Sequence, residues 1–224
     1  MRHAIYLPLV GALSDPQLIM EIAQAADQRG WDGLFVWNPV LSPISGEWDL
    51  ADPWIVLAAI ATVTQRIRLG AMVTPLPRRR VIMPARETVT LDRLSNGRLI
   101  PGLGIGGDRG RELSAFGETT NARRRARVLE EGTAVLTDLW AGEMVCHTRS
   151  SATEETSLLM SCVLLLVLSK NRIPIWFGTE RIDGSPIVRA ARYDGIFPSA
   201  LNRMASSAFV TAWSAFEEAR MAST

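Results

Sequence analysis

Short, continuous apolar runs alternate along this chain with stretches that repeat their apolar positions at helical spacing. The first run, 3-HAIYLPLV-10, is followed by the amphipathic 15-DPQLIMEIAQAADQR-29, where Asp15 stands as N-cap, Pro16 opens the helix and Gly30 stops it. A second strand, 33-GLFVWN-38, leads to a helix over 52-DPWIVLAAIATVT-64, again headed by an Asp-Pro pair, and a third strand follows over 67-IRLGAMVT-74. The rhythm continues with a helix over 84–94 closed by Asn96-Gly97, a strand over 98-RLIPGLGI-105 and a long helix over 121–142 that ends on Gly142. A strand over 173-IPIWFG-178, a helix near 185–192, a strand over 195-GIFPS-199 and a last helix over 205–221 complete about six strand-helix units. Apolar strands without alternation, separated by helices, predict a parallel sheet buried on both faces. Such a sheet is either open and doubly wound or closed into a barrel. By length alone the open sheet is favoured, because a closed (β/α)8 barrel usually takes ~250 residues and eight units.

Composition narrows the partners. With 24 basic and 23 acidic residues the net charge is +1, which gives no electrostatic reason to expect nucleic acid or an anionic membrane. A small-molecule substrate is the expectation. No leader-type segment opens the chain, and the longest apolar run, 158-LLMSCVLLLVL-168, is about half of the ~20 residues that a spanning helix needs, so a cytoplasmic protein is expected. Cys146 and Cys162 have no C-x-x-C spacing, and His3, His147 and Lys170 are the only residues of their kinds, which argues against a zinc site, a His-rich centre or Schiff-base chemistry.

The stretch 102-GLGIGG-107 can be read as G-x-G-x-x-G, with Gly102, Gly104 and Gly107 in the glycine places of a dinucleotide-binding turn. That fingerprint belongs to a first strand-turn-helix unit and wants an acid about 20 residues on, at the tip of the next strand. Here the glycines end a fourth strand, and Glu130 and Glu131 lie inside a helix. An NAD-linked reading therefore ranks last. Glycines at a carboxyl strand end still let backbone approach a flat ring or a phosphate in either architecture.

Taken together, 30-GWDGLFVW-37, 53-PWIVLAAIATVTQRIRLGAMVTPLP-77 and 85-ARETVTLDRLSNGRLIPGLGIG-106 resemble the luciferase-like monooxygenase family. The likeness continues through 113–143 and returns in 172-RIPIWFGTE-180 and 190-AARYDGIFP-198, with L-D-x-L-S-x-G-R as its most specific phrase. The resemblance implies a (β/α)8 TIM-type barrel, here incomplete, as a single domain over 1–224, and so replaces the open sheet. It implies an oxidoreductase or monooxygenase that holds FMN or a deazaflavin (coenzyme F420) in the barrel mouth, and it places a bulge with a non-prolyl cis peptide at Met72-Val73. The ring-lining positions it implies are Tyr6, Trp37, Met72, Val73, Thr74, Gly104, Gly106, Gly178 and Thr179. Tyr6 and Trp37 are equally readable as core aromatics at strand ends. For chemistry the candidates are Asn38 and Asp108, the latter also readable as a solvated loop carboxylate. The run Arg78-Arg79-Arg80 offers either a phosphate grip or a solvated charged turn.

Three departures from the family pattern accompany the likeness. Asn38-Pro39 stands where many relatives carry an acid-histidine pair. The block 146–171 holds both cysteines and the lysine but neither glycine nor proline, as an insertion or altered segment would. The sixth strand and its helix are also the last that the pattern yields, short of the eight of a closed barrel. These departures support an alternative, a non-catalytic relative that binds cofactor weakly or only associates with another subunit. The open strand edges, with family habit, lead to the expectation of a homodimer.

Overall fold

Asp15 accepts a hydrogen bond from the backbone N–H of Gln17 at 2.9 Å and so starts helix α1 (Pro16–Gln28). Asp52 does the same for α2 (Pro53–Val63), accepting from Trp54 and Ile55 at 2.9 and 3.0 Å. Each carboxylate satisfies amides that the first helical turn leaves without partners, and proline at the next position lacks the amide altogether. The computed structural model describes residues 2–41, 48–142, 172–179, 185–198, 214, 216–219 and 221.

Among these residues the strands are β1 (Ala4–Leu7), β2 (Gly33–Val36), β3 (Arg68–Ala71), β4 (Thr74–Pro75), β5 (Gly102–Gly104), β6 (Trp176–Thr179) and β7 (Gly195–Pro198). Helices α3 (Ile82–Leu94), α4 (Ala122–Trp140) and α5 (Ser185–Ala191) complete the regular elements. Every ladder is parallel, in the orders β1-β2-β3 and β4-β5-β6-β7. A doubly wound sheet reverses its strand order at a switch point, whereas here spatial order follows chain order throughout. The rings of Tyr6 on β1 and Phe197 on β7 also meet edge to face at 5.0 Å, so the first and last strands face one another. The open sheet expected from length is thereby overturned: the molecule is an incomplete (β/α)8 barrel with six strand positions among the described residues.

Six positions arise from seven strands because the strand expected over 67–74 is interrupted. β3 ends at Ala71, the Met72-Val73 peptide is cis, and β4 resumes at Thr74 to pair with β5. The strand expected over 98–105 pairs regularly only at 102–104, preceded by a single bridge between Leu69 and Leu99. Helix α3 begins at Ile82, two residues before the expected start, with Pro84 accommodated in the first turn. The block 146–171 lies outside the described residues, as does most of the helix expected over 205–221, of which 214, 216–219 and 221 are helical.

The main core lies between strands and helices, with Leu34, Val36, Leu57, Ile60, Leu69 and Leu99 among its fully buried side chains. A second cluster of Phe35, Met72 and Ile100, with Val73, Trp176 and Phe197 against it, fills the barrel interior. The amino-terminal end is held by side chains that bind backbone. Asp27 accepts from the amides of Gln65, Arg66 and Ile67 at 2.9 to 3.1 Å, and Asp194 accepts from Ile175 at 2.8 Å. Arg98, the last residue of L-D-x-L-S-x-G-R, is buried and donates to the carbonyls of Ala61, Thr64, Ile67 and Ser95 and to the Thr64 hydroxyl. The phrase that best marks the resemblance is thus part of the frame at the foot of the barrel.

Candidate functional site at the strand carboxyl ends

In a parallel α/β barrel the loops at the carboxyl ends of the strands form the face where chemistry is built. On that face the chain turns inward at Met72-Val73, and neighbouring strands carry glycine where the bulge needs room. A Cβ on Gly178 would lie 2.3 Å from Val73 Cγ1, and one on Gly104 would lie 2.7 Å from Val73 Cγ2. A Cβ on Gly102 would lie 2.5 Å from Met72 Sδ. Ordinary side chains cannot approach so closely, so these glycines exist first to admit the two bulge side chains. Val73 fills the space beside Gly104 and Gly178. Gly106, at φ +74°, turns the chain out of β5 in a left-handed conformation that glycine adopts at little cost.

Around the bulge stands an aromatic wall. The Tyr6 hydroxyl donates to the Met72 carbonyl at 2.5 Å, and its ring lies 5.8 Å from that of Trp37 and 5.0 Å from that of Phe197. One side of Tyr6 remains open, 40% of its surface being exposed, while its hydroxyl end is enclosed by protein. That enclosure raises the phenol pKa well above its ordinary value, so the group serves as a protonated donor at physiological pH. The Trp37 indole N–H is buried and finds no acceptor among the described residues. Asn38 donates from Nδ2 to the Thr74 hydroxyl at 3.0 Å, which ties the loop after β2 to the strand after the bulge. Thr179 is buried at the end of β6, in register with Pro198.

The structure thus brings Tyr6, Trp37, Asn38, Met72, Val73, Thr74, Gly104 and Gly178 into one cluster at the strand carboxyl ends. Gly106 lies just beyond it against Pro75. Asp108 has a different task. Its Oδ1 accepts from the amides of Leu113 and Ser114, both at 2.8 Å, and these bonds lower its pKa. A carboxylate so held caps the turn. Nor do Arg78 and Arg79 stand ready for a phosphate. Arg78 makes a two-pronged pair with Glu118 at 2.7 and 3.1 Å, and Arg79 pairs with Glu87 at 2.7 Å. Only Arg80 of the run is exposed.

Several contributors escaped the sequence reading. Phe197 closes the wall from β7, and Phe35 stacks on Trp176 beneath the bulge at 5.7 Å; their signal was an aromatic residue on an otherwise aliphatic strand. Arg125 is buried and donates to the carbonyls of Ile105, Gly106 and Thr119 at 3.0 to 3.4 Å, which fixes the turn after β5. In sequence it is hidden inside the basic 123-RRRAR-127. Glu112 accepts from the amides of Val40 and Leu41 at 2.6 and 3.2 Å and fastens the loop after β2. Next to the cluster an open cleft of about 240 Å³ runs between Asn38, Trp54, Pro75, Arg79 and Glu118. Among the described residues no group of three or more acidic, His or Cys side chains could hold a metal ion, and no helix is long and apolar enough to cross a membrane.

Fold and site together define a parallel α/β barrel with an aromatic cluster built around a strand bulge at its carboxyl face. The chain belongs to the luciferase-like monooxygenase family, whose model matches residues 7–223. The structure is similar to that of the monooxygenase RslO1 from Streptomyces bottropensis, with a TM-score of 0.80 at 22% identity over 99% of this chain and 66% of that one. It is also similar to an F420-dependent secondary alcohol dehydrogenase solved with an F420-acetone adduct, with a TM-score of 0.76 at 20% identity over 97% of this chain and 63% of that one. A third likeness is to the oxygenating constituent of 3,6-diketocamphane monooxygenase from Pseudomonas putida, a type II Baeyer-Villiger enzyme solved with FMN. There the TM-score is 0.72 at 17% identity, over 99% of this chain and 62% of that one. The chain therefore spans just under two thirds of the length of these structures. At such identities the likeness is one of fold.

Proposed function

We propose that this chain carries the ring-binding face of a flavin-class oxidoreductase that takes FMN or coenzyme F420 and acts on a small organic substrate. The observation that carries this reading is the aromatic cluster itself, which presents a half-open Tyr6 ring, a Trp37 N–H with no acceptor among the described residues and a bulge packed from behind by Gly104 and Gly178. These features fit a flat heteroaromatic ring. Ring faces supply stacking area, and a buried indole donor wants an acceptor such as a ring nitrogen or carbonyl. Solved members of the same fold with FMN and with an F420 adduct support the choice of these two cofactors.

Bound there, the cofactor would supply the redox chemistry, and the protein would orient it and exclude water. Tyr6 and Trp37 would face the ring, Tyr6 would keep the Met72 carbonyl engaged, and Asn38 with Thr74 would fix the adjoining edge. One further observation favours a reading in which the chain binds cofactor without turning it over. Proline occupies position 39, and the nearby carboxylates Asp108, Glu112 and Glu118 are all committed to amides or to Arg78.

Titration of the folded protein with FMN and, separately, with F420 tests the proposal by ring fluorescence, with circular dichroism as the check on folding. Saturable binding of either is expected. A folded chain that binds neither overturns the oxidoreductase reading in favour of the non-catalytic one. Binding without substrate-dependent reoxidation or reduction of the ring selects the version in which the chain only holds cofactor.

A further inference from the structure

Between β5 and α4 the chain makes a closed excursion. The buried Arg125 guanidinium donates to the carbonyls of Ile105 and Gly106 at one end and of Thr119 at the other, at 3.0 to 3.4 Å, so one side chain pins both ends together. About a dozen residues that leave and return to one point in this way form an Ω-loop, a unit that often carries function. Leu113 is the one buried residue of 107–118, and it joins neither core cluster. A segment with so little buried apolar surface opens at a fraction of the cost of global unfolding. Gly106 and Gly117, at φ +74° and +67°, stand beside the clamp where hinges are needed.

Three carboxylates hold the excursion in place. Asp108 accepts from the amides of Leu113 and Ser114 within it. Glu118 makes the two-pronged pair with Arg78, whose guanidinium also lies 5.8 Å from the centre of the Phe116 ring. Glu112 reaches furthest, to the amides of Val40 and Leu41, 72 and 71 positions away. Among the described residues no other acceptor serves either amide. We propose that residues 107–118 are a strap that swings on the Arg125 clamp and opens as one body with the loop 38–41, with Glu112 as the latch between them. Closed, the strap holds the chain just beyond Asn38, whose side chain is bonded to Thr74. Open, it releases that loop and with it one side of the aromatic cluster. The bearing of this motion on ring entry rests on the cofactor reading above, whereas the opening itself does not and is measured without cofactor.

Amide hydrogen exchange of the cofactor-free chain, resolved residue by residue, tests this. Glu112→Ala cuts the latch and should speed exchange at Leu113, Ser114 and Glu118, which it does not touch, by about tenfold, the worth of hydrogen bonds to a charged group. Arg78→Met loosens the strap from its far side and should speed Val40, Leu41, Leu113 and Ser114 by one common factor. In both variants the amides of Ile67 and Leu69 at the foot should keep their rates. Three results overturn the proposal: Glu112→Ala that frees only Val40 and Leu41, Arg78→Met that leaves those two unmoved, or acceleration that extends equally to Ile67 and Leu69, since the loss would then be one of global stability. Should either variant fail to fold, low urea decides with the unaltered chain. Exchange at Val40, Leu41, Leu113 and Ser114 should then rise along one common slope, and separate slopes contradict a single opening body. A common opening in a chain that binds no FMN or F420 leaves the strap standing and removes the cofactor reading; cofactor binding with separate openings does the reverse.

Discussion

Arg98 and Arg125 are both buried arginines that donate to backbone carbonyls, one at each end of the barrel. Arg98 makes five hydrogen bonds and joins the end of α2 to the turns before β3 and β5. Arg125 makes three, the longest 3.4 Å, and ties the turn that leads out of β5 to Thr119, ahead of α4. Their difference is that between a frame and a mouth. At the foot, side chains pin strand starts through dense, short contacts. At the mouth they hold loops, and they leave the Tyr6 ring half open and the Trp37 donor without an acceptor among the described residues.

The largest effect that separates the two ends is expected from removing the arginines themselves. Arg98→Met leaves four buried carbonyls without their donor and should cost about 3 kcal/mol or more in urea unfolding, against about 1–2 kcal/mol for Arg125→Met. Equal losses would dissolve the distinction between frame and mouth. Next comes Gly178→Ala, which sets a methyl 2.3 Å from Val73 Cγ1 and should cost about 1–3 kcal/mol through overpacking. Val73→Ala added to it should recover most of that loss, and no recovery would mean that the glycine serves something other than the bulge. Tyr6→Phe removes one bond to the Met72 carbonyl and should cost about 1 kcal/mol while leaving the foot untouched by amide exchange.

The smallest effect concerns pH. Hydrogen bonds from Ser114 and Leu113 lower the Asp108 pKa, so the turn they close is held above the unfolded carboxylate pKa of about 3.9 and released as pH falls through the lower folded value. Limited proteolysis within residues 108–118 should therefore quicken at low pH in the unaltered chain. In Asp108→Asn it should be fast and pH-independent over that range.

Local signals were legible at both ends. Asp-Pro at 15–16 and 52–53, on the mouth side where the helices begin, Asn96-Gly97 at the foot and the unalternating strands each have one physical meaning, and the helices they announced stand where expected apart from α3. The mouth depends on side chains far apart in sequence. That Gly104 and Gly178 answer to Val73 is a fact of three strands meeting, which no window along the chain contains. The same holds for Arg78 and Arg79, whose partners lie 40 and 8 residues away, and for Asp108, whose amides come from a turn that composition does not mark. The cis peptide at Met72-Val73 was located through family likeness and by no periodicity. Length misled in one respect, since it pointed to an open sheet where strand order shows a barrel.

The most direct test of the division into frame and mouth is hydrogen-deuterium exchange of the folded chain with and without saturating FMN or F420. Slowed exchange at the amides of residues 6–7, 37–38, 72–74 and 104–106, with residues 65–69 and 97–100 unchanged, is the expected result. Protection at 65–69 and 97–100 instead, or none at the mouth despite measured binding, would contradict a ring site at the strand carboxyl ends.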